Sequence, residues 1–173
     1  MGGNRADSVY QSPTPYEASR INAAAVYCSD GRIGHHIDDF LQQGLSLPRY
    51  DRVACPGGPA ALAGRLLAFW EARGVEEQLR FLMRVHAAKQ VVLIAHEGCA
   101  YYQQRLGIGV AAVESEQRAD LEAAGAVVHR IEPAVEVAAF FAHVDGAEVW
   151  FERVFASEGL DGRLRGWRST VRV

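Results

Sequence analysis

The stretch QVVLIAHEGC, residues 90–99, decides how the rest of the chain is read. Val91–Ala95 form an unbroken apolar run, and bounded runs of that length are strands buried on both faces. Such strands belong to parallel sheets, whose crossovers place helices on either side. His96 closes the strand. Cys99 follows three residues later, on the first turn of a helical stretch expected from about Cys99 to Leu106.

The flanking sequence repeats the pattern. Upstream, INAAAVYC (21–28) reads as a short buried strand. IGHHIDDFLQQG (33–44) reads as a helix with Ile33, Ile37, Phe40 and Leu41 on one face and Gly44 as its stop. YDRVAC (50–55) is a second strand, punctuated by PGGP. Helices are expected from about Ala60 to Arg73 and from about Val75 to Ala88. Downstream come a helix from about Val110 to Ala124 and AVVHRIE (126–132) as a fourth strand. EVAAFFAHVDGAEVWFERV (136–154) then reads as a hairpin with DG at its turn. Strands alternating with helices predict an α/β fold: about four parallel strands plus an antiparallel edge, flanked by helices. Residues 1–20 read as an N-terminal arm and 21–173 as a single domain.

Bulk properties narrow the function classes. The chain has 173 residues, enough for one domain with a real core. Its formal charge of -3 gives no basic excess for nucleic acid. No apolar run approaches the roughly 18–20 residues that span a bilayer. The N-terminus lacks the apolar core of a signal peptide, so the expected location is the cytoplasm. Three widely spaced cysteines, Cys28, Cys55 and Cys99, do not form a disulfide framework. In a reducing compartment such residues are metal ligands, catalytic groups or packed thiols.

Cys28 closes the first strand as His96 closes the third. In a parallel sheet both ends lie on one edge. If the chain winds outward to strand two and returns past strand one to strand three, the two ends face each other at the reversal, where open α/β sheets bind ligands. Two thiolates and an imidazole make a three-ligand zinc set, and three protein ligands are the catalytic pattern rather than the closed structural one. Zinc lowers the pKa of its water toward about 7 in favourable sites. Two thiolates donate more charge than imidazoles would, so activity is expected to rise into the alkaline range. Asp30 is placed to orient that water, and Arg32, with its planar fork, to hold Asp30 ionised and turned.

CSDGR (28–32) with HEGC (96–99) resembles the β-class carbonic anhydrases, whose pattern is Cys-x-Asp-x-Arg followed by His-x-x-Cys. The resemblance covers roughly residues 21–155. It implies one Zn2+ per chain on Cys28, His96 and Cys99, with Asp30 and Arg32 as the catalytic dyad. It implies reversible hydration of carbon dioxide to bicarbonate by a zinc-bound hydroxide, on a homodimer or homotetramer with a small-molecule substrate and neither nucleic acid nor membrane as partner. VACPGG falls where that family lines its site with a glycine turn, so Gly57 and Gly58 are candidate pocket residues; Tyr101 is a third, with aromatic packing of the sheet edge as its plainer reading. Two other readings keep the zinc: action on another small electrophile (carbonyl sulfide or carbon disulfide), and a non-catalytic zinc-binding protein on the same scaffold.

The neighbouring residues carry plainer readings beside the functional ones. Cys55 reads as a packed thiol, with a place near the site as the alternative. His35 and His36 read as surface or capping residues, with proton shuttling as the alternative. Glu97 reads as a helix N-terminal carboxylate favoured by the helix dipole, against a role as an acid beside zinc. Gly57 and Gly58 serve a tight turn first.

Overall fold

A computed structural model describes residues 9–65 and 69–160. Among these residues, five strands form one sheet: β1 (Ala23–Cys28), β2 (Asp51–Cys55), β3 (Gln90–His96), β4 (Glu136–Asp145) and β5 (Glu148–Ala156). Their order is β2-β1-β3-β4-β5. The first four are parallel, and β5 returns antiparallel to β4 as the edge strand. The chain therefore leaves β1 for β2 on one side and comes back to β3 on the other, which makes β1 and β3 neighbours, with Tyr27 opposite Ile94.

Among the described residues, three α-helices cover the sheet: α1 (Gly31–Asp39), α2 (Phe69–His86) and α3 (Val110–Ile131). Alternation of side chains along each strand divides the core. Ala24, Val26, Leu93, Val137 and Phe141 face α2 and α3, meeting Leu79, Leu121 and Val128. Ala25, Tyr27, Ile94 and Phe140 face the other way, onto Ile33 and Ile37 of α1 and the following Phe40 and Leu41. Ile37, Leu41, Leu79 and Leu121 are fully buried, each worth about 1.5–3 kcal/mol relative to exposure.

Three elements differ from the sequence expectation. AVVHRIE is not a strand but the end of α3, which runs to Ile131. Leu121, Ala124 and Val128 recur at helical spacing and pack on the sheet, so burial on one helix face overrides the strand preference of the valine pair. The fourth parallel strand is instead the first arm of the hairpin, β4. The two helices expected over 60–88 are a short 3-10 turn, Gly58–Ala61, and the single α2, which continues through Gly74. The helix expected over 99–106 is only a five-residue π-type turn, Tyr101–Arg105. Residues 1–8 of the expected arm and the Arg-rich tail 161–173 lie outside the described residues.

Candidate metal centre

β1 and β3 deliver Cys28 and His96 to the same edge of the sheet, at the point where strand order reverses. Gly98 adopts φ +68°, a conformation that suits glycine. It turns the chain so that Cys99 comes back beside them. The ligand-type atoms of Cys28, His96 and Cys99 all lie within 4.8 Å of one another, and the residues are 6%, 3% and 1% exposed.

The donor set fits zinc. The two sulfurs stand 3.8 Å apart, too far for the roughly 2 Å of a disulfide. Two thiolates each about 2.3 Å from a tetrahedral zinc are separated by about 3.8 Å. His96 Nδ1 lies 2.8 Å from the Glu97 carbonyl, an acceptor only, so Nδ1 carries the proton and Nε2 keeps its lone pair. That buried Nε2 has no hydrogen-bond partner among the described residues. Buried polar atoms are almost always partnered, and a metal ion supplies the partner this nitrogen lacks.

Electrostatics favour a thiolate at Cys28. The thiol of Cys99 beside it first, and then the backbone N–H groups of Asp30 and Gly57, lower the Cys28 thiol from its ordinary range, against burial. Sharing with Cys28, then burial, pushes the Cys99 thiol up, opposed by the backbone N–H groups of Tyr101 and Tyr102. Those two N–H groups belong to the π-type turn, so a local turn takes the place of the helix terminus expected there.

Asp30 caps α1: its Oδ1 accepts from the Arg32 backbone N–H at 3.0 Å. Arg32 Nε reaches Oδ1 at 3.0 Å and Oδ2 at 3.1 Å, and Nη2 reaches Oδ2 at 2.5 Å. Both carboxylate oxygens are thus occupied by Arg32, whose Nη2 also reaches the Gly98 carbonyl at 3.5 Å and ties the two motifs together. First the Arg32 side chain and then, against slight burial, its backbone N–H hold the Asp30 carboxyl at about 2, below its ordinary 3.8.

Two cavities open on this cluster, and Asp30 borders both. One, of about 370 Å3, is lined by Cys28, Pro56, Tyr101 and Arg105 among others. The other, of about 440 Å3, is lined by Arg32, His36, His96 and Val149 among others. Of the expected pocket residues, Tyr101 faces the first cavity. Gly57 and Gly58 are placed by packing. A Cβ on Gly57 would meet the Tyr101 ring at 2.4 Å, and one on Gly58 would meet the Cys28 nitrogen and the Tyr27 carbonyl carbon at 2.7 Å.

The remaining candidates are also located. Cys55 is the register partner of Cys28 on β2, and its sulfur lies 3.6 Å from the Gly58 carbonyl. Glu97 starts no helix: its carboxylate accepts from the Val144 backbone N–H at 3.0 Å and pins the end of β4. His35 and His36 are exposed on α1, and only His36 reaches a cavity wall at the site.

Sequence reasoning overlooked two residues of α3. Gln117, 1% exposed, donates from Nε2 to the His96 carbonyl at 2.9 Å. Asp120, 5% exposed, accepts from the Tyr102 hydroxyl at 2.7 Å and from Arg65 Nε at 3.0 Å. The available signal was their place in the stripe Val113, Gln117, Asp120, Leu121, Ala124, Val128, where two polar residues interrupt an apolar face.

Comparison with known proteins agrees with this geometry. Residues 18–150 match the family described as "Putative carbonic anhydrase". No curated protein matches the sequence. Among solved structures, β-carbonic anhydrase isoform I of the protozoan Trichomonas vaginalis is 12% identical, with a TM-score of 0.55 over 84% of this chain and 88% of that one. The β-carbonic anhydrase of the fungal pathogen Aspergillus fumigatus is 17% identical, with a TM-score of 0.40 over 87% and 85%. The first of these shows the shared fold. With residues 18–150 matched, which is most of the chain, the protein belongs to that carbonic anhydrase family.

Proposed function

We propose that the chain catalyses the reversible hydration of carbon dioxide to bicarbonate with one zinc ion on Cys28, His96 and Cys99. The observation that carries the reading is the buried donor cluster itself: two sulfurs 3.8 Å apart and an imidazole nitrogen with no hydrogen-bond partner among the described residues. Zinc, when bound, supplies a Lewis acid that makes hydroxide available near neutral pH. The chain's own residues do the rest. Asp30 accepts a hydrogen bond from the attacking water and orients its lone pair toward the carbon. Arg32 keeps Asp30 ionised and turned. Addition of water to carbon dioxide forms one C–O bond and releases one proton, and the exposed face beside Arg32 gives that proton a route to buffer.

Other features support the reading without touching the chemistry. β5 is an edge strand whose side chains are mostly half-buried, with Val144 and Trp150 exposed at its end of the hairpin. A dimer or tetramer would cover that surface. Three free thiols suit a reducing compartment such as the cytoplasm. No helix among the described residues is long and apolar enough to cross a membrane.

The test is stopped-flow carbon dioxide hydration between about pH 6.5 and 9, on protein of verified zinc content. A rate well above buffer that climbs with pH is expected, and Asp30→Ala should retain zinc while slowing turnover about 10–100-fold. No activity with zinc fully bound would overturn the carbon dioxide reading. It would leave carbonyl sulfide, carbon disulfide or a non-catalytic zinc protein as the alternatives.

A further inference from the structure

The segment His96–Cys99 carries two of the three proposed ligands yet has little regular structure to hold it. β1 and β3 last pair at Tyr27 and Ile94, whereas β3 and β4 continue to His96 and Ala142. His96 is therefore supported by the sheet on its β4 side only. After it come a glycine at φ +68° and a five-residue turn. Such a segment has many accessible conformations, and a three-ligand site needs one.

α3 crosses both ends of the segment with residues three apart, on one helix face. Gln117 Nε2 donates to the His96 carbonyl at 2.9 Å, beyond the last β1 pair. The Tyr102 hydroxyl, three residues past Cys99, donates to Asp120 Oδ2 at 2.7 Å. Arg65 holds Asp120 in turn, with Nε 3.0 Å from each carboxylate oxygen, and reaches Glu116 Oε2 at 2.6 Å. Burial first, then the Asp120 carboxylate, push the Tyr102 phenol up, so it stays a donor.

The cost of this arrangement is informative. Gln117 is buried mid-helix, and its Oε1 has no partner among the described residues. A half-satisfied buried amide costs stability that an apolar side chain of the same size would not. The residue is better explained by what its Nε2 holds than by what it contributes to the core. The carbonyl it holds joins His96 to Glu97, whose own carbonyl fixes the imidazole tautomer.

We propose that α3 sets the donor geometry of the metal centre, with Gln117 as the positioning residue for His96 and Asp120, acting through Tyr102, as the anchor beyond Cys99. The inference rests on the metal reading above and adds residues that touch neither metal nor substrate.

Cobalt(II) is the probe, titrated into the full-length, metal-free chain, because its visible bands report ligand geometry. Wild type should bind one cobalt with the intense bands of a tetrahedral sulfur–nitrogen site. Gln117→Met keeps the volume and removes the donor. It should shift those bands and weaken zinc binding, measured against a chromophoric chelator, about 10–100-fold. Tyr102→Phe should shift them in the same sense by less. Val128→Ala, on the same helix but about two turns past Asp120, should lower thermal stability and leave the bands unmoved. A folded Gln117→Met with wild-type bands and zinc affinity within about twofold would overturn the inference. If that variant does not fold, Tyr102→Phe decides by the same criterion. Wild type that binds no cobalt would remove the metal reading and this inference together. Bound cobalt with unmoved variants would remove this inference alone.

Discussion

The two halves of the site are built differently. Cys28, Asp30 and Arg32 lie within five residues, and the bonds between Asp30 and Arg32 close locally, with one longer reach from Arg32 to the Gly98 carbonyl. Asp30 caps α1 with the same carboxylate that takes the Arg32 side chain two residues on. His96 and Cys99 also lie close together, but almost everything that holds them is remote. Gln117 is 21 residues away, Tyr102 reaches Asp120 across 18, and Glu97 reaches Val144 across 47. Short polar side chains beside a helix start find partners in their own turn. A strand end followed by an irregular turn has to borrow them from another element. One half of the centre is thus a local motif and the other a tertiary assembly.

The largest expected effect treats the halves alike, because both give ligands. Cys28→Ser and His96→Ala should each abolish stoichiometric zinc, read by elemental analysis of the folded protein. Catalytic zinc sites use three protein ligands, and losing one leaves two. Full zinc retention in either variant would remove that residue from the ligand set and leave the centre resting on one half.

The same contrast explains what the sequence made legible. β3 was plain because an apolar run bounded by His96 has one good reading, and β1 and β2 followed from similar runs. The position of Cys28 beside His96 needed only strand order. Asp30 and Arg32 stood out because charges two and four residues past a buried thiol ask for a reason. Gln117 and Asp120 did not stand out, because a glutamine and an aspartate in a charged helix look solvated until the tertiary fold buries that face. Glu97 was misread for a related reason. Its partner is a backbone N–H on β4, which no local pattern announces. AVVHRIE failed differently: β-branched pairs favour strands, but about five turns of preceding helix already placed Val128 over the core.

A smaller effect tests how local the Cys28 half is. Gly58 sits 30 positions further on, at φ +53°, and a Cβ there would strike the backbone of Tyr27 and Cys28. Gly58→Ala should cost about 1–3 kcal/mol for the left-handed backbone and a further amount of about 1–3 kcal/mol for overpacking. Thermal unfolding should register the loss. Gly57→Ala meets a side chain instead, the Tyr101 ring, which has more freedom to move away. Equal melting temperatures for Gly58→Ala and wild type would show that β1 yields at Cys28.

The smallest effect lies at the outer end of the remote half. Arg118, next to Gln117 on α3, pairs with Glu152 of β5 at 2.6 Å and with Glu114 at 2.8 Å. Glu152 also meets His143 of β4 at 2.9 Å. Arg118 first and then His143, by hydrogen bonds to the carboxylate, hold Glu152 at about 2, below its ordinary 4.5. A carboxyl depressed on folding stabilises the fold above its unfolded value and loses that contribution as pH falls through its folded one. Metal-free wild type should therefore exceed Glu152→Gln in melting temperature at about pH 5, with the gap closing toward pH 2. The carboxylate is 40% exposed, so solvent screening keeps the difference below about 1 kcal/mol. A gap that widens on acidification would mean that Glu152 is not held ionised by Arg118, and the tie from α3 to the hairpin would have to run through packing of Phe155 against Gly125 instead.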